Sequence, residues 1–140
     1  MILYLETSNL VRLYVKESGT EDVKKSVAES EAVATSIVSY VEARAAFARK
    51  AREKALGPAS YQAIKADLER DWGSLFALAV TDNLVRRAAE LSEKHGLRGY
   101  DAIHLSSALE LKAALGGTAA LVFSSADERL CEAARREGLQ

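Results

Sequence analysis

The chain begins with a continuous apolar run, Met1-Ile-Leu-Tyr-Leu, that stops at an acid, Glu6. No other feature constrains the fold as strongly. An apolar run without alternation suits a strand buried on both faces, and such strands belong to parallel sheets covered by helices on either side. A carboxylate ending that strand is not explained by local propensity, and leaving it unpaired would be costly.

The rest of the chain supplies the covering layers. Thr7-Ser8 offers helix N-caps ahead of Leu10, Val11, Leu13 and Tyr14, which have helical spacing, and Gly19 breaks that helix. Residues 20–30 read as a polar helix with Val23 and Val27 inward, and 32–36 as a short strand. Ser39 opens a long helix to about Lys54, and Gly57-Pro58 marks the next start, with Pro58 in the first turn of a helix to about Trp72. Phe76–Val80 reads as a strand, Asp82–His95 as a helix stopped by Gly96, and Tyr100–Leu115 as a helix ended by Gly116-Gly117. Ala119–Phe123 is a buried strand and 126–137 a last helix. Strands alternating with helices predict an α/β fold, a three-layer sandwich with a short central parallel sheet flanked by helices. Strand order does not follow from periodicity. The 140 residues, without linker or repeat, predict a single domain over 1–140.

Composition narrows the function. The chain is 49% hydrophobic and 28% charged, a globular profile, but only 6% aromatic, so Leu, Val, Ile and Ala must build the core. The net charge of −1 gives no bulk basic character, so any nucleic-acid binding must use a local patch. Cys131 is the only cysteine and reads as a small buried residue; a reducing, cytoplasmic setting fits. No stretch reaches the roughly 18 uncharged apolar residues of a membrane span, and the opening run lacks the basic start of a signal peptide.

In open parallel sheets, ligands bind outside the carboxyl ends of the strands. Glu6 follows the first strand, Glu42 lies on the first turn after the second, and Asp101 and Asp127 start later helices. Each also has a plainer reading. Ser39-Tyr-Val-Glu42 and Ser125-Ala-Asp-Glu128 are capping-box patterns, and Asp101 and Asp127 suit positive helix ends. Asp82 occupies a similar place and looks like an ordinary cap. If the acids converge, an all-oxygen cluster suits Mg²⁺ or Mn²⁺, and no Cys/His zinc spacing competes.

Four stretches together resemble the motifs of PIN domains. They are Leu5-Glu6-Thr7-Ser8, Ser39-Tyr40-Val41-Glu42-Ala43, Arg98-Gly99-Tyr100-Asp101-Ala102-Ile103-His104-Leu105 and Ser124-Ser125-Ala126-Asp127-Glu128-Arg129-Leu130. They stand in the family's order and span residues 5 to 130. The chain is most similar to VapC-like toxins of toxin–antitoxin pairs. That resemblance implies a Mg²⁺- or Mn²⁺-dependent endoribonuclease cutting RNA, a homodimer, and a small cognate antitoxin over the acidic groove. It makes Glu6, Glu42, Asp101 and Asp127 the catalytic and metal-binding acids, with Ser8 and Ser125 as polar support. Two departures stand out. Glu6 replaces the family's Asp and is one methylene longer, which raises an alternative: a PIN-fold module that binds antitoxin or RNA without efficient cleavage. The chain also stops at Gln140, where relatives continue into a short edge strand, so that strand is expected to be missing or vestigial.

Arg44, Arg49 and Lys50 lie on the helix after Glu42 and are candidate phosphate contacts, although a solvated face with local pairing to Glu53 accounts for the same pattern. His104, three residues after Asp101, reads as a core or groove-lining residue rather than a base. His95 reads as a helix-dipole partner, and Trp72 and Tyr61 as core or dimer packing. A receiver-type phosphoacceptor would want paired acids after the first strand and a later Lys, and a dehalogenase-like phosphatase would want Asp-x-Asp; neither pattern is present.

Overall fold

The computed structural model describes residues 1–140. Four strands, β1 (Ile2–Leu5), β2 (Ala32–Ser36), β3 (Phe76–Leu78) and β4 (Leu121–Ser124), form one parallel sheet in the order β3-β2-β1-β4. Seven helices flank it: α1 (Thr7–Arg12), α2 (Thr20–Glu29), α3 (Ser39–Arg52), α4 (Pro58–Trp72), α5 (Asp82–His95), α6 (Gly99–Leu115) and α7 (Glu128–Arg136). The architecture is the α/β three-layer sandwich that the sequence predicts.

The alternation along β1 shows how the layers are made. Leu3, Tyr4 and Leu5 are all fully buried. Tyr4 faces the layer of α5, α6 and α7, packed with Leu91, Leu105, Phe123 and Leu130. Leu3 and Leu5 face the opposite layer, with Leu10, Phe47, Ile64 and Leu68 from α1, α3 and α4. Two apolar cores therefore grip one strand, which is why the run carries no polar residue until it ends. Trp72 packs edge-on against Tyr40 at 5.2 Å between ring centroids, and Tyr61 borders the same core.

Several boundaries differ from the sequence reading. β3 stops at Leu78, because Thr81 caps α5 by accepting from the Leu84 amide at 3.2 Å. The first helix ends at Arg12, and Gly19 instead leads into α2 with φ of 92°. Its cap is Glu6, not Thr7 or Ser8: the Glu6 carboxylate accepts from the Ser8 amide at 3.1 Å. As expected, no strand follows α7; a single bond runs from the Phe123 amide to the Gln140 carbonyl at 2.8 Å. Cys131 is half-buried rather than buried, with its thiol donating to the Ser125 carbonyl at 3.4 Å. No helix is long and apolar enough to cross a membrane.

The strand order locates the crevice. From β1 the chain steps outward to β2 and β3, then returns to the other side of β1 with β4. The direction of winding reverses between β1 and β4, and open sheets bind ligands at the carboxyl ends of such a pair. Glu6 follows β1 there, and Asp127 lies three residues past β4.

Candidate active site

The β1–β4 switch point is built around short hydroxyl side chains. The Glu6 carboxylate is 7% exposed. Its Oε2 accepts from the Ser8 amide, the Ser8 hydroxyl and, at 2.8 Å, the Ser125 hydroxyl. Ser125 Oγ in turn accepts from the Asp127 amide at 3.0 Å, and Ser8 Oγ from the Ala126 amide at 2.9 Å. These bonds tie the loop after β4 to the end of β1. They answer the cost of burying Glu6, because a carboxylate with several donors is satisfied where a lone one is not. The carboxylate thus turns back over the start of α1.

Asp127 begins α7 as its N-cap. Its Oδ1 accepts from the amides of Arg129 at 2.9 Å and Leu130 at 3.2 Å. The capping role expected of Ser125 thus falls to Asp127, which leaves Ser125 for Glu6. Asp101 stands in the first turn of α6 with only Arg98 near it, at 3.5 Å. Burial raises the Asp101 carboxyl above the ordinary aspartate range; Arg98 opposes this, and the charges of Asp127 and Glu6 reinforce it. Asp101 and Asp127 share a cavity of about 250 Å³ with Gly96, Leu97, Arg98 and Arg129.

Glu42 belongs to a second, adjoining arrangement on the β2 side. The Ser39–Glu42 capping box does not form: α3 has no side-chain cap, and the Ser39 hydroxyl lies 2.7 Å from Thr35 and 3.1 Å from Thr7. Glu42 Oε1 instead accepts from the Thr7 hydroxyl at 2.7 Å and meets His104 Nε2 at 2.8 Å. Burial pushes the Glu42 carboxyl up, but His104 and Thr7 outweigh it and hold it below the ordinary glutamate range. His104 is 1% exposed and is anchored on its other side by the Tyr4 hydroxyl, 2.9 Å from Nδ1.

Asp101 therefore lies in the field of Asp127 and Glu6, and Glu42 bonds Thr7, the residue after Glu6. No three His, Cys, Asp or Glu side chains stand as a ready-made ligand cluster. A divalent cation nevertheless fits the donor chemistry: every candidate ligand is a carboxylate oxygen, and a cation would favour the charged Asp101 that burial, and after it Asp127 and Glu6, disfavour.

The three candidate cations on α3 have internal partners. Arg49 pairs with Glu53 at 3.0 Å and Lys50 with Glu17 at 3.3 Å, while Arg44 donates to the Tyr40 hydroxyl at 3.1 Å. His95 pairs with Glu137 at 2.8 Å, away from the acids. Arg98 and Arg129 were not singled out by the sequence reading, yet both line the cavity of Asp101 and Asp127. Arg98 is 88% exposed in its side chain. The available signal was their place beside the third and fourth acids, each within three residues of an Asp.

A family profile described as PIN domain matches residues 3–136. Two proteins of Mycobacterium tuberculosis, named Ribonuclease VapC45 (strain CDC 1551 / Oshkosh) and Ribonuclease VapC49 (strain H37Rv), are each 33% identical to this chain over 141 residues. The alignments cover 98% of this chain and 92% of each relative. Among solved structures, the crystal structure of M. tuberculosis VapC20, described as a sarcin-ricin loop cleaving toxin, superposes with a TM-score of 0.66 at 18% identity. It covers 99% of this chain and 96% of its own, a likeness of fold.

Proposed function

The chain belongs to the PIN domain family, and from that premise we propose that it is an endoribonuclease, the toxin of a VapBC-type pair, working with Mg²⁺ or Mn²⁺. The observation that carries this reading is that Glu6, Asp101 and Asp127 lie around the β1–β4 switch point, with Asp101 raised by burial first and then by the charges of Asp127 and Glu6.

Glu6, Asp101 and Asp127 are the residues to hold the cation, with Glu42 beside them. When bound, a divalent ion supplies positive charge against the phosphodiester and the leaving oxygen. The protein's own groups do the rest. Ser8 and Ser125 fix one oxygen of Glu6, and the α7 amides fix one oxygen of Asp127. Arg98 and Arg129 stand beside the two aspartates and are the first choice for substrate phosphates; Arg44, Arg49 and Lys50 would have to leave internal partners to extend that path. An RNA substrate, a small antitoxin covering the groove and a homodimer complete the reading, along with one domain over 1–140 and a cytoplasmic setting.

The test is cleavage of total RNA by the purified protein with Mg²⁺ or Mn²⁺, beside Asp101→Asn. Loss of one electrostatic contact to a transition state costs on the order of 100- to 1,000-fold, and a drop of that order is expected. Equal cleavage by the two proteins would remove Asp101 from the site.

A further inference from the structure

The Glu42 side of the mouth contains a buried polar chain that ribonuclease chemistry does not by itself require. Tyr4 and His104 are both fully enclosed, in a core otherwise made of Leu105, Phe123 and Leu130. A phenol and an imidazole in such a core need partners. Each has one in the other, and His104 Nε2 also has Glu42 Oε1 at 2.8 Å and, farther off, the Thr7 hydroxyl at 3.1 Å.

Counting protons fixes the direction of the chain. Thr35 donates to the Leu5 carbonyl at 2.6 Å, so the Ser39 hydroxyl donates to Thr35. The Thr7 hydroxyl can donate to Ser39 at 3.1 Å or to Glu42 Oε1 at 2.7 Å, and the shorter bond to the charged oxygen is the stronger. The Tyr4 hydroxyl has one hydrogen and meets the ring at Nδ1. If it donates there, Nε2 carries the ring proton and donates to the carboxylate. The reverse tautomer would set the Nε2 lone pair against Glu42 Oε1 at 2.8 Å, which is repulsive. Both donors, Thr7 and His104, converge on Oε1, and Oε2 has no protein partner.

We propose that His104 is a positioning residue for Glu42: Tyr4 locks its imidazole as the Nε2–H tautomer, and the ring pins one carboxylate oxygen so that the other is presented to a divalent cation. The inference rests on the metal-dependent reading of the acidic site. It assigns no contact between His104 and RNA or metal. The ring acts through the carboxylate, as outer hydrogen-bond partners of metal ligands do.

Two measurements test it. The first is ¹⁵N NMR of the His104 imidazole in metal-free wild type. The Nε2–H tautomer is expected, with the Nε2 proton resonance moving in Glu42→Gln; an Nδ1–H ring overturns the proposal. This readout needs no variant of His104 to fold. The second is Mn²⁺ affinity, followed by the free-ion electron paramagnetic resonance signal. His104→Leu is expected to weaken binding about 10- to 100-fold, the usual loss for such outer partners. His104→Gln, which offers an amide donor near the place of Nε2, is expected to restore affinity to within about threefold of wild type by the same reasoning. Asp101→Asn separates the two readings. If Asp101→Asn loses Mn²⁺ while a folded His104→Leu binds it like wild type, the positioning role fails and the metal site stands. If Asp101→Asn binds Mn²⁺ unchanged, the metal site fails and the positioning role falls with it.

Discussion

Asp101 and Glu42 are carboxylates of the same mouth, one held above the ordinary range and the other below it. The difference lies in what each one faces. Asp101 has a single cation, Arg98, at 3.5 Å and looks toward Asp127 and Glu6. Glu42 has two close donors, Thr7 and His104, delivered by the start of α1 and by the buried face of α6. One half of the site is short of positive charge and the other is already satisfied by the fold. The first half is where a cation contributes most, while the second half is set in advance by the core. Asp101 and His104, three residues apart on α6, serve the two halves because they share a helix face.

Glu6 gives the largest test of that division. Its longer side chain folds back onto Ser8 and Ser125 and forms no ligand cluster with Asp101 and Asp127. Glu6→Asp shortens the reach by one methylene and is expected to raise single-turnover RNA cleavage by up to about tenfold, within the range that a misplacement near 1 Å commands. An unchanged rate would mean that carboxylate length does not limit the charge-poor half. Inert wild type beside an active Glu6→Asp would favour the alternative of a binding module with impaired chemistry.

The next effect is on stability, and it has opposite signs in the two halves. Asp101→Asn removes a carboxylate disfavoured by burial first and by Asp127 and Glu6 after it, and is expected to raise the thermal midpoint of metal-free protein at pH 7. Glu42→Gln weakens two bonds to a charged group and is expected to lower it, by about 1 kcal/mol or a few degrees. The pH dependence follows from linkage. The folded carboxyl of Asp101 lies above its unfolded value, so its destabilisation is full above the folded pKa and vanishes below the ordinary 3.8. The advantage of Asp101→Asn should therefore shrink as pH falls toward 4. The folded carboxyl of Glu42 lies below its unfolded value, so its contribution is full above the ordinary 4.5 and is lost as pH falls through the depressed folded pKa. Melts from pH 7 to pH 3 that moved the two variants in the same direction would erase the distinction.

How much of this was legible beforehand depends on how far apart the partners lie in the chain. The helices from Pro58, Asp82 and Gly99 were readable because their start and stop residues are local. The layers were readable from the apolar run before Glu6. The fate of each acid was not. Glu42 looked like half of a capping box because Ser39 stands three residues before it, but its real partners, Thr7 and His104, lie 35 and 62 residues away. Ser125 looked like a cap and instead bonds Glu6 across 119 residues. Tyr4 read only as part of an apolar strand, although its hydroxyl reaches His104 across 100 residues. Glu6 had a local explanation that was missed, as the cap of α1. Strand order decides these meetings, and periodicity does not encode it.

The smallest effect concerns the cations beside each half. Arg98 extends from the charge-poor half with its side chain 88% exposed, and Asp101 is its only acidic partner, at 3.5 Å. Arg49 lies on the helix of Glu42 and is paired with Glu53 at 3.0 Å. If phosphates approach the mouth from the Asp101 side, Arg98→Ala should reduce the salt dependence of RNA binding by about one counterion, a change near 0.7 in the log–log slope for a single strand. Arg49→Ala should leave the slope within experimental scatter, because its charge is already offset by Glu53. Binding is best measured on Asp101→Asn in several salt concentrations, so that cleavage does not intervene. A larger change for Arg49→Ala than for Arg98→Ala would place the RNA path along α3, on the Glu42 side. In that case Arg44, Arg49 and Lys50 would be the phosphate contacts, and the half of the site satisfied by the core would also be the half that receives the substrate.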